Sequence, residues 1–151
     1  MDRAEGRADK AILAAGYLLL LLLGAAIGVW GAFLVPLRLA GGVEGLADVV
    51  GFAGPLAAGY FGAVGLGVAP AAVFPGIGWI VSILLLGYSP GGDVVIPGKL
   101  GPDPGVGLVG SLYLVSGLVG TLAAGVLASA HLRRAARARQ SAPDNPRDQP
   151  R

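Results

Sequence analysis

The sequence is poor in the residues that carry most protein chemistry. It has no cysteine, one methionine and one histidine among 151 residues. Without cysteine there can be no disulfide, no thiol nucleophile, no zinc site built on thiolates and no lipid-modified N-terminal cysteine. The single histidine, His131, supplies by itself neither a catalytic triad nor a metal site.

Charge is also scarce, and its absence is concentrated in three stretches. Residues 11–37, 49–92 and 104–130 contain no Asp, Glu, Lys or Arg over 27, 44 and 27 residues. A bilayer core of ~30 Å is crossed by ~20 helical residues, so the outer stretches each hold one span and the middle one holds two. The sequence therefore predicts an all-α fold, a polytopic membrane protein with a four-transmembrane-helix bundle and short loops. The predicted spans are about 12–35, 49–66, 71–88 and 106–130.

The remaining charges predict the orientation of the bundle. With four spans both termini lie on one side, and that side carries nine of the eleven Lys and Arg residues. Because Lys and Arg in short loops stay in the cytoplasm, we expect a cytoplasmic N-terminal tail at 1–10 and a cytoplasmic C-terminal segment at 131–151, first basic and then disordered. The first apolar run is longer than a signal-peptide core, so we expect it to stay uncleaved. Nine arginines against two lysines, with abundant alanine and glycine, favour a GC-rich bacterial genome, so we expect the spans to lie in a bacterial plasma membrane.

Small residues recur at four-residue spacing in the predicted spans. This spacing lets helix backbones approach closely, and we expect it to serve packing within the bundle or against another subunit. The predicted helix-packing residues are Gly24 and Gly28 in the first span, Gly54, Ala58 and Gly62 in the second, and Ser116, Gly120, Ala124 and Ala128 in the fourth. An adjacent row on the fourth span consists of Gly117, Thr121, Gly125 and Ser129.

Basic residues follow the fourth span directly, in the stretch HLRRAARARQ. Arg133, Arg134 and Arg137 share a face if the helix continues, and we expect them to contact lipid headgroups and to fix the orientation of the bundle. Nucleic-acid binding is not expected, because the patch is short, lies next to the membrane and has no interleaved aromatic residues.

Other polar and aromatic residues have structural interpretations. Trp30 and Tyr113 should lie in the outer interfacial belt with Tyr88, and Tyr17 in the inner one. No ionisable residue lies well inside a predicted span, and the Ser and Thr hydroxyls there should bond to backbone. We therefore predict no catalytic residue, no cofactor and no metal site. The acidic residues of the outer loops, expected to be solvated, are Glu44, Asp48, Asp93 and Asp103.

Several short motifs resemble an uncharacterised family of small four-helix actinobacterial integral membrane proteins. The resemblance implies four spans and a third helix that begins with Trp and ends at a Pro-x-Gly-Asp corner, but no activity or site. The matching segments are Ala58-Gly59-Tyr60-Phe61-Gly62, Ala69-Pro70-Ala71, Gly78-Trp79, Ser89-Pro90-Gly91-Gly92-Asp93 and Gly110-Ser111-Leu112-Tyr113. The chain departs from that family at residues 97–105 and at the proline-rich start of the third helix. Small multidrug exporters are similar in size, but they need a glutamate in the first span, which residues 11–37 lack.

Two functions remain open from the sequence. The packing residues and the lack of buried ionisable groups favour a non-enzymatic accessory or assembly subunit, with the lipid bilayer and either a second copy or another membrane protein as partners. The alternative is a small-solute transporter or channel component whose acidic outer rim concentrates cations.

Overall fold

The computed structural model of the chain describes residues 2–34, 45–87 and 104–141. Within these ranges the secondary structure is helical, which confirms the all-α prediction. The helices are α1 (Asp2–Leu34), α2 (Leu46–Leu66), a 3₁₀ helix (Ala69–Val73), α3 (Phe74–Gly87) and α4 (Pro104–Gln140). The predicted outer loops and the predicted disordered tail lie mainly or wholly outside the described residues, as does Tyr88.

Four stretches of the described chain are long and apolar enough to cross a membrane, in agreement with the predicted four spans. The third is composite, because α3 has only 14 residues and the 3₁₀ helix adds five. At 1.5 Å per residue in an α-helix and ~2 Å in a 3₁₀ helix, the two together reach ~30 Å. The 3₁₀ helix therefore gives the shortest span the length of a bilayer core.

The outward faces of the helices are apolar. Leu19, Leu84 and Val126 are 67%, 64% and 69% exposed, and many other large apolar side chains of the described helices are exposed in the same way. A water-soluble helix carries polar residues on its outer face, whereas a helix that is hydrophobic on all sides is surrounded by protein or lipid. The described surface therefore suits a lipid environment.

The helix boundaries differ from the predicted ones at the charged ends. α1 begins at Asp2 instead of about residue 12, and α4 continues to Gln140 instead of ending near residue 130. α2 begins at Leu46, so Pro55 lies in the interior of the helix and not in its first turns. Pro55 is buried there, and it has no N–H with which to bond the carbonyl of Gly51.

A tight turn joins α2 to the 3₁₀ helix. Gly67 ends α2 in the left-handed conformation, with φ 69° and ψ 16°. Its N–H donates to the Val64 carbonyl at 3.2 Å, and the Val68 N–H donates to the Ala63 carbonyl at 3.1 Å. This bonding satisfies carbonyls that the helix end would leave unpaired.

The four helices pack in two main pairs, α1 with α3 and α2 with α4, and α1 also contacts α2. The 3₁₀ helix packs against α2 and α4. Two buried clusters mark the two halves of the core. One consists of Ala32, Ala47, Trp79, Ile83 and Tyr113, and the other of Ala63, Ala71, Ala72, Ala124 and Ala128.

Candidate functional site

The predicted row of small residues on α4 faces α2. A side chain added at Gly120 would overlap the backbone carbonyl of Phe52, and Ala124 and Ala128 are completely buried. Gly59 of α2 lies against Ala124, since an added Cβ there would be 2.9 Å from the Ala124 Cβ. The two backbones thus approach as closely as small-residue interfaces allow.

The same row begins at Ser116, which is half-buried. A Cβ added at Gly51 of α2 would lie 2.7 Å from the Ser116 hydroxyl oxygen. All four predicted positions on this face of α4 are therefore buried or half-buried within this single chain.

Glycines also bring α1 and α3 together. A side chain at Gly24 would overlap the Pro75 carbonyl, and one at Gly28 would overlap the Ser82 hydroxyl. The approach is mutual, because a side chain at Gly78 of α3 would overlap the Leu21 carbonyl of α1. Both helices therefore need glycine for this contact.

The predicted row on α2 has a different role from the α4 row. Gly54, Ala58 and Gly62 are half-buried, and together with large side chains of α1 they line the same seam. Ile27 lies over Gly54 and Leu20 lies over Gly62. An apolar cavity of about 410 Å³ opens along this seam between α1 and α2.

A second row on α2 was not predicted from the sequence. Gly51, Pro55, Gly59 and Ala63 are buried and recur every four residues, beginning from Ala47. This row turns α2 toward α4, and its spacing is the same signal that indicated the other rows. The sequence alone does not distinguish this row from the predicted one, because α2 has small residues on both of these faces.

A hydrogen-bonded centre links three helices in the first buried cluster. The Trp79 Nε1–H donates to the Tyr113 hydroxyl at 3.1 Å, and that hydroxyl donates to the Gly28 carbonyl at 3.1 Å. The rings of Trp79 and Tyr113 meet at 60° with centroids 5.4 Å apart. Trp79 is 1% exposed and Tyr113 is 0% exposed.

This centre corrects the prediction that Tyr113 lies in an interfacial belt. Its position along α4 matches the end of a span, but its side chain points into the bundle and is completely buried. Trp30, predicted for the same belt, is 73% exposed. Tyr17 is half-buried and stacks on Phe74, with ring centroids 4.3 Å apart.

Three hydroxyls within the spans bond to the backbone of their own helices. Ser82 donates to the Trp79 carbonyl, Ser116 to the Tyr113 carbonyl and Thr121 to the Gly117 carbonyl, at 2.8–2.9 Å. These bonds satisfy the hydroxyl donors without another helix or a ligand. The arrangement gives these three side chains a structural role.

A surface groove formed by α2 and α4 is lined by both apolar and polar side chains. We call it the α2/α4 groove; it has a volume of about 520 Å³ and is lined by Ala53, Leu56, Ala57, Tyr60, Phe61, Leu127, Ala130, His131 and Arg134. The Tyr60 hydroxyl lies 3.2 Å from His131 Nδ1. The groove is therefore lined mostly by apolar side chains and is polar at the end formed by Tyr60, His131 and Arg134.

Of the three predicted headgroup residues, Arg134 alone lines this groove. Arg133, Arg134 and Arg137 are all exposed on the helical extension of α4 beyond residue 130, but Arg133 and Arg137 do not line the groove. The structure thus separates Arg134 from two neighbours that the sequence had grouped with it.

Asp48 lies in the first turn of α2, although the sequence placed it in a loop. The positive end of the helix dipole favours an acid at this position. Its Oδ1 is buried and has no hydrogen-bond partner within the described part of the chain. Within the same ranges, no three His, Asp or Glu residues come together as a group that could hold a metal ion.

Comparisons of the chain with protein-family models, with curated proteins and with solved structures found no match.

Proposed function

We propose that the chain is a non-enzymatic integral membrane protein of a bacterial plasma membrane that acts as an accessory or assembly subunit. The proposal includes the predicted orientation, with both termini in the cytoplasm. It also includes the hypothesis that the chain is related to the family of small actinobacterial membrane proteins that it resembles.

Several polar groups in the spans already form hydrogen bonds within the bundle, and this supports a non-enzymatic role. The Trp79 and Tyr113 donors and the hydroxyls of Ser82, Ser116 and Thr121 all bond within the bundle. A catalytic group must be able to reach a substrate proton or a reacting atom, whereas these groups are already held by backbone or by each other.

The observation that carries the subunit proposal is an open position at Gly125, in the second row of small residues on α4 (Gly117, Thr121, Gly125 and Ser129). Gly117 packs against the Trp79 ring, and Thr121 packs against Gly76, so this part of the row contacts α3. One turn further on, a Cβ added at Gly125 would meet no atom of the described residues within 4 Å. A backbone from another membrane protein or a second copy could approach α4 closely at Gly125.

The test is the mass of the protein after gentle extraction. We expect a complex larger than the 15.0 kDa chain, containing either a second copy or a reproducible partner. Gly125→Leu should reduce this association, because the added side chain occupies the open position. Val126→Leu is the matched control, since Val126 is 69% exposed and already carries a branched side chain. A strictly monomeric protein without a partner would refute the subunit proposal.

Asp48 favours a second candidate, a small-solute transporter or channel component. The Asp48 Oδ1 has no hydrogen-bond partner among the residues that the structure describes; such an oxygen is costly at the start of a span, and ionisable residues within spans often mark ion pathways. Reconstituted vesicles should then show cation flux that Asp48→Asn abolishes. Equal flux in the two proteins would remove Asp48 from the mechanism.

A further inference from the structure

The α2/α4 groove has the chemistry of an amphiphile site. Its apolar part is formed by Ala53, Leu56 and Ala57 of α2 together with Leu127 of α4. Its polar part lies where α4 passes from its uncharged span into the basic helical extension. A molecule that fits must therefore have an apolar body and a polar head of negative or hydrogen-bonding character.

Three side chains supply the polar part. Arg134 offers a fixed positive charge and a planar set of N–H donors that suit phosphate oxygens. The Tyr60 hydroxyl and His131 Nδ1 are 3.2 Å apart, and their rings meet edge to face at 87°. When the hydroxyl donates to Nδ1, the neutral imidazole carries its proton on Nε2 and keeps one further donor.

The length of the groove distinguishes a lipid from a partner helix. From Ala53 to Tyr60 it follows about two turns of α2, or ~11 Å at 1.5 Å per residue. A spanning helix that lay along the groove would extend well beyond it, because it must cross the ~30 Å core. A lipid needs only a short apolar seat for part of an acyl chain next to a site for its headgroup.

We propose that the α2/α4 groove binds one anionic phospholipid. Its phosphate accepts hydrogen bonds from Arg134 and from His131 Nε2, which the hydrogen bond from Tyr60 orients, and one acyl chain lies against Ala53, Ala57 and Leu127. Basic pockets between spans at the cytoplasmic side suit anionic headgroups in this way. The site goes beyond the proposed subunit role and needs no partner protein; the proposed orientation serves only to assign the lipid to the cytoplasmic leaflet.

Native mass spectrometry of the full chain, released from nanodiscs of phosphatidylglycerol and phosphatidylcholine in equal amounts, tests the proposal. We expect one retained phosphatidylglycerol per chain in preference to phosphatidylcholine. Arg134→Gln should lower this retention about fivefold, the factor expected for one cation near an anionic lipid. Arg133→Gln makes the same charge change one residue away, outside the groove, and should keep the lipid.

A second pair of variants tests the seat of the acyl chain. Ala53→Phe fills the apolar part of the groove and should reduce retention, whereas Ala26→Phe adds the same ring to an exposed position of α1 and should not. Tyr60→Phe removes only the hydroxyl and should weaken retention of the lipid while the protein stays folded. Inorganic phosphate should not displace the lipid, because it lacks the apolar body.

Several results would overturn the proposal. Equal retention of the two lipids by the wild-type chain would show that the groove does not select an anionic headgroup. Equal losses in Arg133→Gln and Arg134→Gln would assign the effect to the general charge of the helix. Equal retention in Ala53→Phe and the wild-type chain would show that the lipid is not seated in the groove.

Discussion

The Tyr113 hydroxyl accepts a hydrogen bond from the Trp79 indole and donates one to the Gly28 carbonyl, each at 3.1 Å. One oxygen atom thereby links α4, α3 and α1. Both side chains are buried, so neither polar group has water as an alternative partner. Unpaired polar groups are costly in such surroundings, and the pair therefore fixes the rotation of α3 and α4 relative to each other.

Removing this oxygen should destabilise the bundle. Tyr113→Phe leaves the buried Trp79 N–H without its acceptor, and we expect the free energy of unfolding to fall by about 1–3 kcal/mol. Thermal unfolding in mild detergent measures the loss. Tyr17→Phe is the control, because the ring of Tyr17 stacks on Phe74 and the substitution preserves that ring. Equal transition temperatures for the two variants would contradict the assigned role.

The contact between α1 and α3 should not tolerate a single added methyl group. Gly24→Ala places a Cβ against the Pro75 carbonyl, and overpacking of this kind costs about 1–3 kcal/mol. Gly65→Ala adds the same group within α2, where none of the described residues lies within 4 Å, and alanine favours a helix by up to ~1 kcal/mol over glycine. The two variants should shift the unfolding temperature in opposite directions. A rise in both would show that α1 and α3 can separate at no cost.

The difference between predicted and observed helix ends has a physical cause. Uncharged runs locate apolar segments, so they predict where lipid begins and ends, but a backbone helix can continue beyond that point. α4 continues through Arg133 and Arg137 because alanine and arginine are strong helix formers. α2 begins ahead of Asp48 because an acid is favourable in a first turn.

The rotation of each helix was harder to predict than its position along the chain. Position alone placed Tyr113 at an interface, but the direction of its side chain around α4 determines its burial. That direction brings the Tyr113 ring against Gly31 of α1 and Gly51 of α2, and these close approaches depend on the three-dimensional pairing of helices. The α2/α4 groove was missed for the same reason, since Tyr60 and His131 are 71 residues apart in sequence.

We expect the turn after α2 to require glycine at position 67 because of its backbone conformation and not because of packing. Its φ of 69° is unfavourable for a side chain, although an added Cβ would meet no described residue within 4 Å. Gly67→Ala should therefore lower the free energy of unfolding by about 1–2 kcal/mol. Gly65 likewise has no described residue within 4 Å of its Cβ position but lies within α2, so Gly65→Ala should be neutral or stabilising. Thermal unfolding of the two variants separates conformation from packing, and equal shifts would contradict this assignment.

The absence of cysteine provides a direct test of the proposed orientation. Gly45→Cys and Ser141→Cys each introduce a single thiol at an exposed position, one before α2 and the other after α4. If both termini are cytoplasmic, a membrane-impermeant maleimide should label Gly45→Cys in intact spheroplasts and Ser141→Cys only after permeabilisation. The unmodified chain has no thiol and gives the background. The reverse pattern would invert the bundle and move the polar end of the α2/α4 groove to the outer leaflet, because Arg134 lies on the same side of the last span as Ser141.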